Sequence, residues 1–269
     1  MNRNIKNVYI MSNLTSKSNK IYPLIAEKFA KSGFFIMDSY NEYCDLVVSL
    51  GGDGSFLKNV YDLNYPNILF VGINTGHLGF FQSVMPSDID KMIQCILSSN
   101  YTVQNIFPLK AVINTKIRQT EIYAINEFVV KGNKNKTVHL NIFIGGRHIE
   151  KFSGDGVIIS STVGSTAYNY SASGSIIDPR LNLIQVTPVA PLNTNAYRCF
   201  TSGVILPFKS NVEIVPENKY QNTTILLSDS REHTYDALKS IQIKYSKKKI
   251  GLLSPGKDDF WKKVKEKFL

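Results

Sequence analysis

DLVVSLGGDGSFLKNV, Asp45 to Val60, is the stretch that decides the fold. Asp45 to Leu50 is a nearly continuous apolar run, and it breaks at Gly51, Gly52, Asp53 and Gly54 before Ser55, Phe56, Leu57 and Val60 resume at helical spacing. A strand without polar alternation, a glycine turn and a helix make one unit of a parallel sheet covered on both faces. The glycines allow a sharp turn that aims backbone N–H groups and a helix N-terminus at a phosphate. Asp53 is the odd member, since a carboxylate beside a phosphate cradle is electrostatically unfavourable unless it takes a proton or holds a cation. On its own the run could also be a plain turn, and the carboxylate argues against that reading.

Outward from this unit the same alternation continues. Asn7 to Met11 and Phe34 to Met37 read as strands around a helix whose stripe is Ile21, Leu24, Ile25, Lys28 and Phe29, ended by Gly33. Asn67 to Ile73 is another apolar strand, entering a second glycine turn at Gly76 to Gly79. Ser87 and Asp90 resemble a capping box, with Ile89, Met92, Ile93, Ile96 and Leu97 on one helical face, and that helix is expected to close the first domain. From Tyr101 onward β-branched and aromatic residues gather in short segments, including Lys110 to Asn114, Glu127 to Val130 and Leu140 to Ile144. Gly145 and Gly146 between IFI and RHIEKF suit a type I' hairpin turn. Lys257 to Leu269 puts Phe260, Trp261, Val264 and Phe268 on one helical face behind Pro255 and Gly256. The expected architecture is an α/β N-terminal domain with a parallel Rossmann-like sheet over residues 1–100, a mostly β domain over 101–250, and a C-terminal segment, 251–269, whose helix packs back on the first domain.

Composition narrows the class. The 269 residues exceed the usual single domain of ~100–200, and 43% hydrophobic with 19% charged residues is globular usage. No apolar run reaches the ~20 residues of a membrane span, and the N-terminus turns polar too early for a signal-peptide core, so a cytoplasmic location is expected, with no membrane partner. Cys44, Cys95 and Cys199 lack disulfide or zinc spacing, and His77, His139, His148 and His233 lack ligand pairing, so no protein-held metal is expected. A net charge of +10 calls for an anionic partner. Its lysine clusters, Lys134 with Lys136, Lys247 to Lys249 and the last eight residues, are not interleaved with aromatics on a nucleic-acid module, and solvated surface is the plainer reading.

Five motifs in order then resemble the NAD kinase family: GGDGSFL at Gly51 to Leu57, GHLGFF at Gly76 to Phe81, the pair Asn126 and Glu127, GDGVIISSTVGSTAY at Gly154 to Tyr168, and TPVAP at Thr187 to Pro191. The resemblance implies phosphoryl transfer from ATP, or inorganic polyphosphate, to the 2'-hydroxyl of the adenosine ribose of NAD, with magnesium carried on the donor. A ribose hydroxyl is a weak nucleophile, so such a reaction needs a base beside it and an in-line, charge-neutralised donor; Asp53 is the candidate base, and Gly51, Gly52 and Gly54 form the phosphate loop. The resemblance also implies that Asn126 and Glu127 hold ribose hydroxyls, that Asp155, Thr166, Ala167, Tyr168, Asn169, Tyr170 and Ser171 line the NAD pocket, and that Phe80 and Ala190 border it. Phe80 and Tyr168 also fit plain core positions. Lys58, one turn beyond the loop, reaches either a phosphate or solvent. A homotetramer or homodimer is implied, the β-rich domain making the contacts that complete the NAD site.

The chain departs from the family at three places. Ser161, Thr162 and Val163 stand where a Thr-Pro-Thr run is common, Ser153 replaces a basic residue, and Asp229, Ser230 and Arg231 replace Asp-Gly-Gln. Val163 offers no side-chain hydrogen bond to a ligand. Two other classes remain: a lipid or sugar kinase sharing GGDG, against which stand Ser55 to Lys58 and the GSTAY block, and a non-catalytic dinucleotide or nucleic-acid binder, which would have no use for Asp53.

Overall fold

The apolar runs before the two glycine turns become adjacent parallel strands, every residue of both buried. In chain order the first unit contains β1 (Asn7–Ser12), α1 (Ser16–Lys31), β2 (Phe35–Met37), β3 (Leu46–Gly51), α2 (Asp53–Asp62), β4 (Leu69–Asn74), α3 (Ile89–Leu97) and β5 (Tyr101–Ile106). The computed structural model describes residues 5–12, 16–76, 79–82, 84–195, 198–256 and 259–269. His77 and Leu78 of the GHLGFF turn, Lys257 of the last segment and the first four residues lie outside these.

Alternation along β3 sends side chains to two different cores. Leu46, Val48 and Leu50 join Ile25 and Phe29 of α1 and Met92 and Ile93 of α3. On the opposite side Phe56 of α2 meets Phe70 of β4 edge-on at 5.7 Å and stacks on Phe81 at 4.8 Å. Gly33, at φ +88°, ends α1 in the left-handed conformation glycine adopts without strain. Two stripe positions differ from expectation: Leu24 and Leu97 are exposed, because the buried arcs of these helices centre on Ile25–Phe29 and Met92–Ile96. The capping box is absent as well. A 3-10 turn, Pro86–Asp88, leads into α3, and Asp90 instead receives Lys28 Nζ of α1 at 2.5 Å.

The second unit, Phe107–Lys247, is two antiparallel six-stranded sheets. Its strands are β6 (Leu109–Thr115), β7 (Gln119–Ala124), β8 (Glu127–Gly132), β9 (Val138–Ile144), β10 (Arg147–Gly154), β11 (Gly156–Ser161), β12 (Leu183–Val189), β13 (Val204–Pro207), β14 (Val212–Pro216), β15 (Thr224–Ser228), β16 (Arg231–Thr234) and β17 (Leu238–Tyr245), with a one-turn helix α4 (Tyr168–Ser171) before β12. One sheet runs β10-β9-β14-β17-β6-β7 and alternates buried with part-exposed residues along β6 and β9. The other runs β13-β12-β11-β8-β15-β16, and β11 is buried throughout. Their shared core includes Ile113, Leu140 and Ile241 from the first sheet and Phe128, Ile159 and Leu226 from the second. Gly145 (φ +58°) and Gly146 (φ +79°) form the β9–β10 turn, with Ile144 paired to Arg147.

The chain then supplies β18 (Ile250–Pro255) and α5 (Phe260–Phe268) to the first unit, which takes back Lys248–Leu269 and extends to Ile106. β18 enters between β4 and β5, parallel to the former and antiparallel to the latter, giving the order β2-β1-β3-β4-β18-β5. The first sheet is thus mixed and mostly parallel, and β5 belongs to it although its residues lie beyond α3, the helix expected to close the unit. Among the cysteines only Cys44 is buried; Cys95 and Cys199 are half-buried.

Candidate active site

The glycine loop sits between β3 and α2, so Asp53 occupies the first turn of α2. Gly51 is at φ +140°, which a side chain would strain. At Gly52 and Gly54 an added Cβ would meet no protein atom within 4 Å. The chain itself therefore does not need glycine at those two positions, and what glycine preserves there is open space beside a helix N-terminus.

Asp53 is wrapped by the second glycine turn. Its carboxylate accepts the Phe80 N–H at 2.9 Å and the Phe81 N–H at 3.0 Å. The wrap is close enough that a Cβ on Gly79 would lie 2.2 Å from Asp53 Oδ1, and a Cβ on Gly72 would lie 2.3 Å from the Phe81 carbonyl oxygen. Beneath the loop, Gln82 is fully buried and donates to the Gly52 carbonyl at 2.7 Å, and Asn59 of α2 donates to Ser49 at 2.9 Å. Full burial of a phenylalanine contributes about 2–3 kcal/mol, so the Phe56–Phe81 stack helps fix the turn that holds the carboxylate.

Two residues singled out near this loop have other partners. Lys58 pairs with Asp62 one turn along α2. The Phe80 ring packs against Phe260 and Phe268 of α5, at 5.8 and 6.1 Å between centroids. The inward stripe of α5 is Phe260, Val264 and Phe268, four residues apart, of which Val264 is buried and the two phenylalanines are half-buried, and Trp261, expected on it, is 52% exposed. Lys263 and Lys267 flank the stripe, donating to the Phe80 carbonyl at 3.2 Å and to Asp53 Oδ2 at 3.3 Å. Sequence reading missed both lysines; their position three residues after Phe260 and Val264 was the available signal.

In the second unit Asn126 immediately precedes β8 and Glu127 opens it, the two pinned from two sides. Asp229 accepts the Ile125 N–H at 2.8 Å and the Asn126 N–H at 2.7 Å, with the Glu127 N–H at 3.4 Å. From the other side Ser161 N–H donates to the Asn126 carbonyl at 2.8 Å, and a Cβ on Gly164 would lie 2.1 Å from that same oxygen. Gly164 thus allows the GSTAY turn to rest on the Asn126 backbone. Asn126 Oδ1 and Glu127 Oε2 are buried with no hydrogen-bond partner among the described residues. A buried unpaired acceptor costs about 1–3 kcal/mol, so this pair is poised for a ligand with hydroxyl donors. Burial, then the nearby Asp229 carboxyl, push the Glu127 carboxyl up to about 8. Burial also pushes Asp229 up, opposed by its backbone N–H partners. A Glu127 carboxyl raised this way favours its neutral form, which can donate as well as accept.

Asp229 and Ser230 are the two central residues of the β15–β16 hairpin, at φ +45° and +69°, between the paired Ser228 and Arg231. The missing glycine of this element leaves the turn intact. Thr162, at the place of a common proline, stitches its turn to the start of β12: its hydroxyl donates to the Leu181 carbonyl at 2.7 Å and accepts the Leu183 N–H at 3.0 Å.

The pocket residues divide by exposure. Asp155 and Tyr168 line one cleft of about 190 Å³ together with Val129, Lys131, Lys136 and Val189. Tyr168, Tyr170, Ser171 and Ala190 are exposed, Ala167 is half-buried and Thr166 is buried. Asn169 differs from the expected pocket lining. It is fully buried, its amide oxygen accepts the Thr187 hydroxyl at 2.7 Å, and a Cβ on Gly174 would lie 2.3 Å from its nitrogen. Its side chain braces α4 against β12.

Residues 14–101 match the ATP-NAD kinase N-terminal domain and residues 125–253 the ATP-NAD kinase C-terminal domain. An NAD kinase of Finegoldia magna is 38% identical over the full length of both chains. The chain belongs to the NAD kinase family. A Streptococcus gordonii NAD kinase is 31% identical over 98% of this chain and 96% of its own. In fold, the chain superposes on a yeast NADH kinase complexed with NADH (TM-score 0.84, 23% identity, 98% of this chain and 87% of that one) and on an Archaeoglobus fulgidus NAD kinase in complex with ATP (TM-score 0.79, 20% identity, 96% and 98%). Matches to both domains of this family favour it over a lipid or sugar kinase that shares only the glycine motif. No helix among the described residues is long and apolar enough to cross a membrane.

Proposed function

We propose that this chain transfers the terminal phosphoryl group of ATP to the 2'-hydroxyl of the adenosine ribose of NAD, giving NADP. The observation that carries the reading is the open space at Gly52 and Gly54 beside a carboxylate fixed by two backbone N–H groups. Phosphates fit there against the N-terminus of α2, and Asp53 retains lone pairs with which to accept the hydroxyl proton. Asn126 and Glu127, with unpaired buried oxygens, suit the ribose hydroxyls of NAD. Asp155, Tyr168 and the exposed face of α4 suit the rest of the dinucleotide.

The 190 Å³ cleft is smaller than the ~300–1,000 Å³ of a typical small-molecule site. That supports a homodimer or homotetramer in which a second copy completes the pocket. A magnesium ion would enter on the donor phosphates and neutralise their charge. We assign the chain to the cytoplasm and leave polyphosphate as a second donor for test.

The experiment incubates purified protein with NAD, magnesium and either ATP or polyphosphate, and reads NADP with a strictly NADP-dependent enzyme, beside Asp53→Asn. NADP from the wild type and a loss of at least about a hundredfold in the variant are expected for removal of a general base. A folded wild type that binds NAD and makes no NADP would overturn the assignment, and an Asp53→Asn enzyme at native rate would remove Asp53 as base.

A further inference from the structure

The carboxylate that is to act as a base is capped. Phe80 and Phe81 each donate a backbone N–H to it, and Lys267 of α5 adds a third contact at 3.3 Å to Oδ2. The two N–H groups cannot leave, since their turn lies against Gly72 and Phe81 is stacked on Phe56. Lys267 can leave: it is a flexible side chain, 37% exposed, in the longest of the three contacts. Its Nζ rests 4.9 Å from the centre of the Phe80 ring, and α5 is held there independently by Phe260 and Phe268. The nearest lysine by sequence, Lys58, is already neutralised by Asp62. Lys267 is thus a cation in contact with Asp53, whose neighbours in the chain, Gly52 and Gly54, border the open space.

We propose that Lys267 is a positioning residue that couples donor arrival to release of the base. In the free chain its ammonium caps Asp53; when the donor's phosphates occupy the glycine loop it moves onto them, and Oδ2 becomes free to take a proton. This deepens the kinase reading above and rests on it. In the transfer the ribose O–H bond breaks and its proton goes to Asp53. The ribose oxygen's electron pair forms the new O–P bond, and the old P–O bond breaks with its pair leaving on ADP. Lys267 takes no part in the proton transfer and contributes charge alone.

The test uses full-length protein with Lys267→Met, which keeps the stem over Phe80, and Lys267→Arg, which keeps the charge. Calorimetry with magnesium–ATP in the absence of NAD, and with NAD in the absence of ATP, reads each affinity without turnover. Loss of one charged hydrogen bond predicts an ATP affinity and an ATP KM weakened about ten- to a hundredfold in Lys267→Met, with NAD affinity within about twofold of wild type and Lys267→Arg recovering most of the loss. ATP binding unchanged in Lys267→Met overturns the proposal. So does equal weakening of ATP and NAD binding, which marks a merely structural role, or an Arg variant as impaired as the Met variant. Turnover by the wild type tests the kinase reading separately, because a chain that makes NADP while Lys267→Met keeps its ATP affinity refutes only the part given to Lys267.

Discussion

Gly54 offers a substitution whose effects on stability and activity should have opposite signs. It lies in the first turn of α2, its φ is not in the left-handed region, and a Cβ there would meet no protein atom within 4 Å. Alanine is favoured over glycine in a helix by about 0.5–1 kcal/mol, chiefly through the unfolded chain. Gly54→Ala should therefore be more stable than wild type by up to about 1 kcal/mol, raising Tm by about 2–4 °C for a chain near this size. The same methyl group would occupy space that the proposed reaction gives to phosphates. Losing one charge-assisted contact of about 1.5–3 kcal/mol lowers kcat/KM by roughly ten- to a hundredfold. Thermal unfolding and the NADP assay on one preparation read both effects. A stabilised variant with full activity would show that the open space has no ligand, and a destabilised one would reveal a steric contact that the geometry says is absent.

Glu127→Gln should flatten the pH dependence of stability. Because the Glu127 carboxyl is raised to about 8, the folded wild type holds a proton that the unfolded chain releases above pH ~4.5, and it loses stability as pH rises toward 8. The Gln variant lacks this titration, so its advantage in urea unfolding should grow from pH 5 to 8 and reach on the order of 2–4 kcal/mol; parallel curves would contradict the assignment. Ser230→Gly should stabilise the chain by about 1 kcal/mol, since residue 230 sits at φ +69° in the hairpin turn, and an unchanged denaturation midpoint would count against that strain.

What the sequence made legible was what local pattern controls. Unbroken apolar runs announced β3 and β4, and two consecutive glycines announced the β9–β10 turn. Asp53 stood out because a carboxylate is chemically incongruous in a glycine loop. Lys267 did not, because it is 214 residues away from Asp53 and only packing of α5 brings them together. Lys58 looked better placed on spacing alone, yet an acid one turn away claims it. Asn169 read as a pocket residue from its neighbour Tyr168, but a helix turns adjacent side chains by about 100°, so Tyr168 is exposed while Asn169 is buried. Asp229 registered only as the start of an altered motif, its grip on Asn126 being a contact between distant strands.

The insertion of β18 between β4 and β5 has a consequence for how the chain is made. Val84 bridges the end of β4 at Ile73, but until the whole of the second unit has been synthesised Leu69 and Phe70 lack their β18 partners and β5 has no strand partner at all. Synthesis proceeds at about 5–20 residues per second, so a nascent first unit waits for seconds with the apolar Leu69–Phe70 end of β4 unpaired on that side, the kind of surface that recruits chaperones or aggregates. The helix that touches Asp53 follows later still, so the glycine loop gains its lysine only after the sheet beneath it has closed.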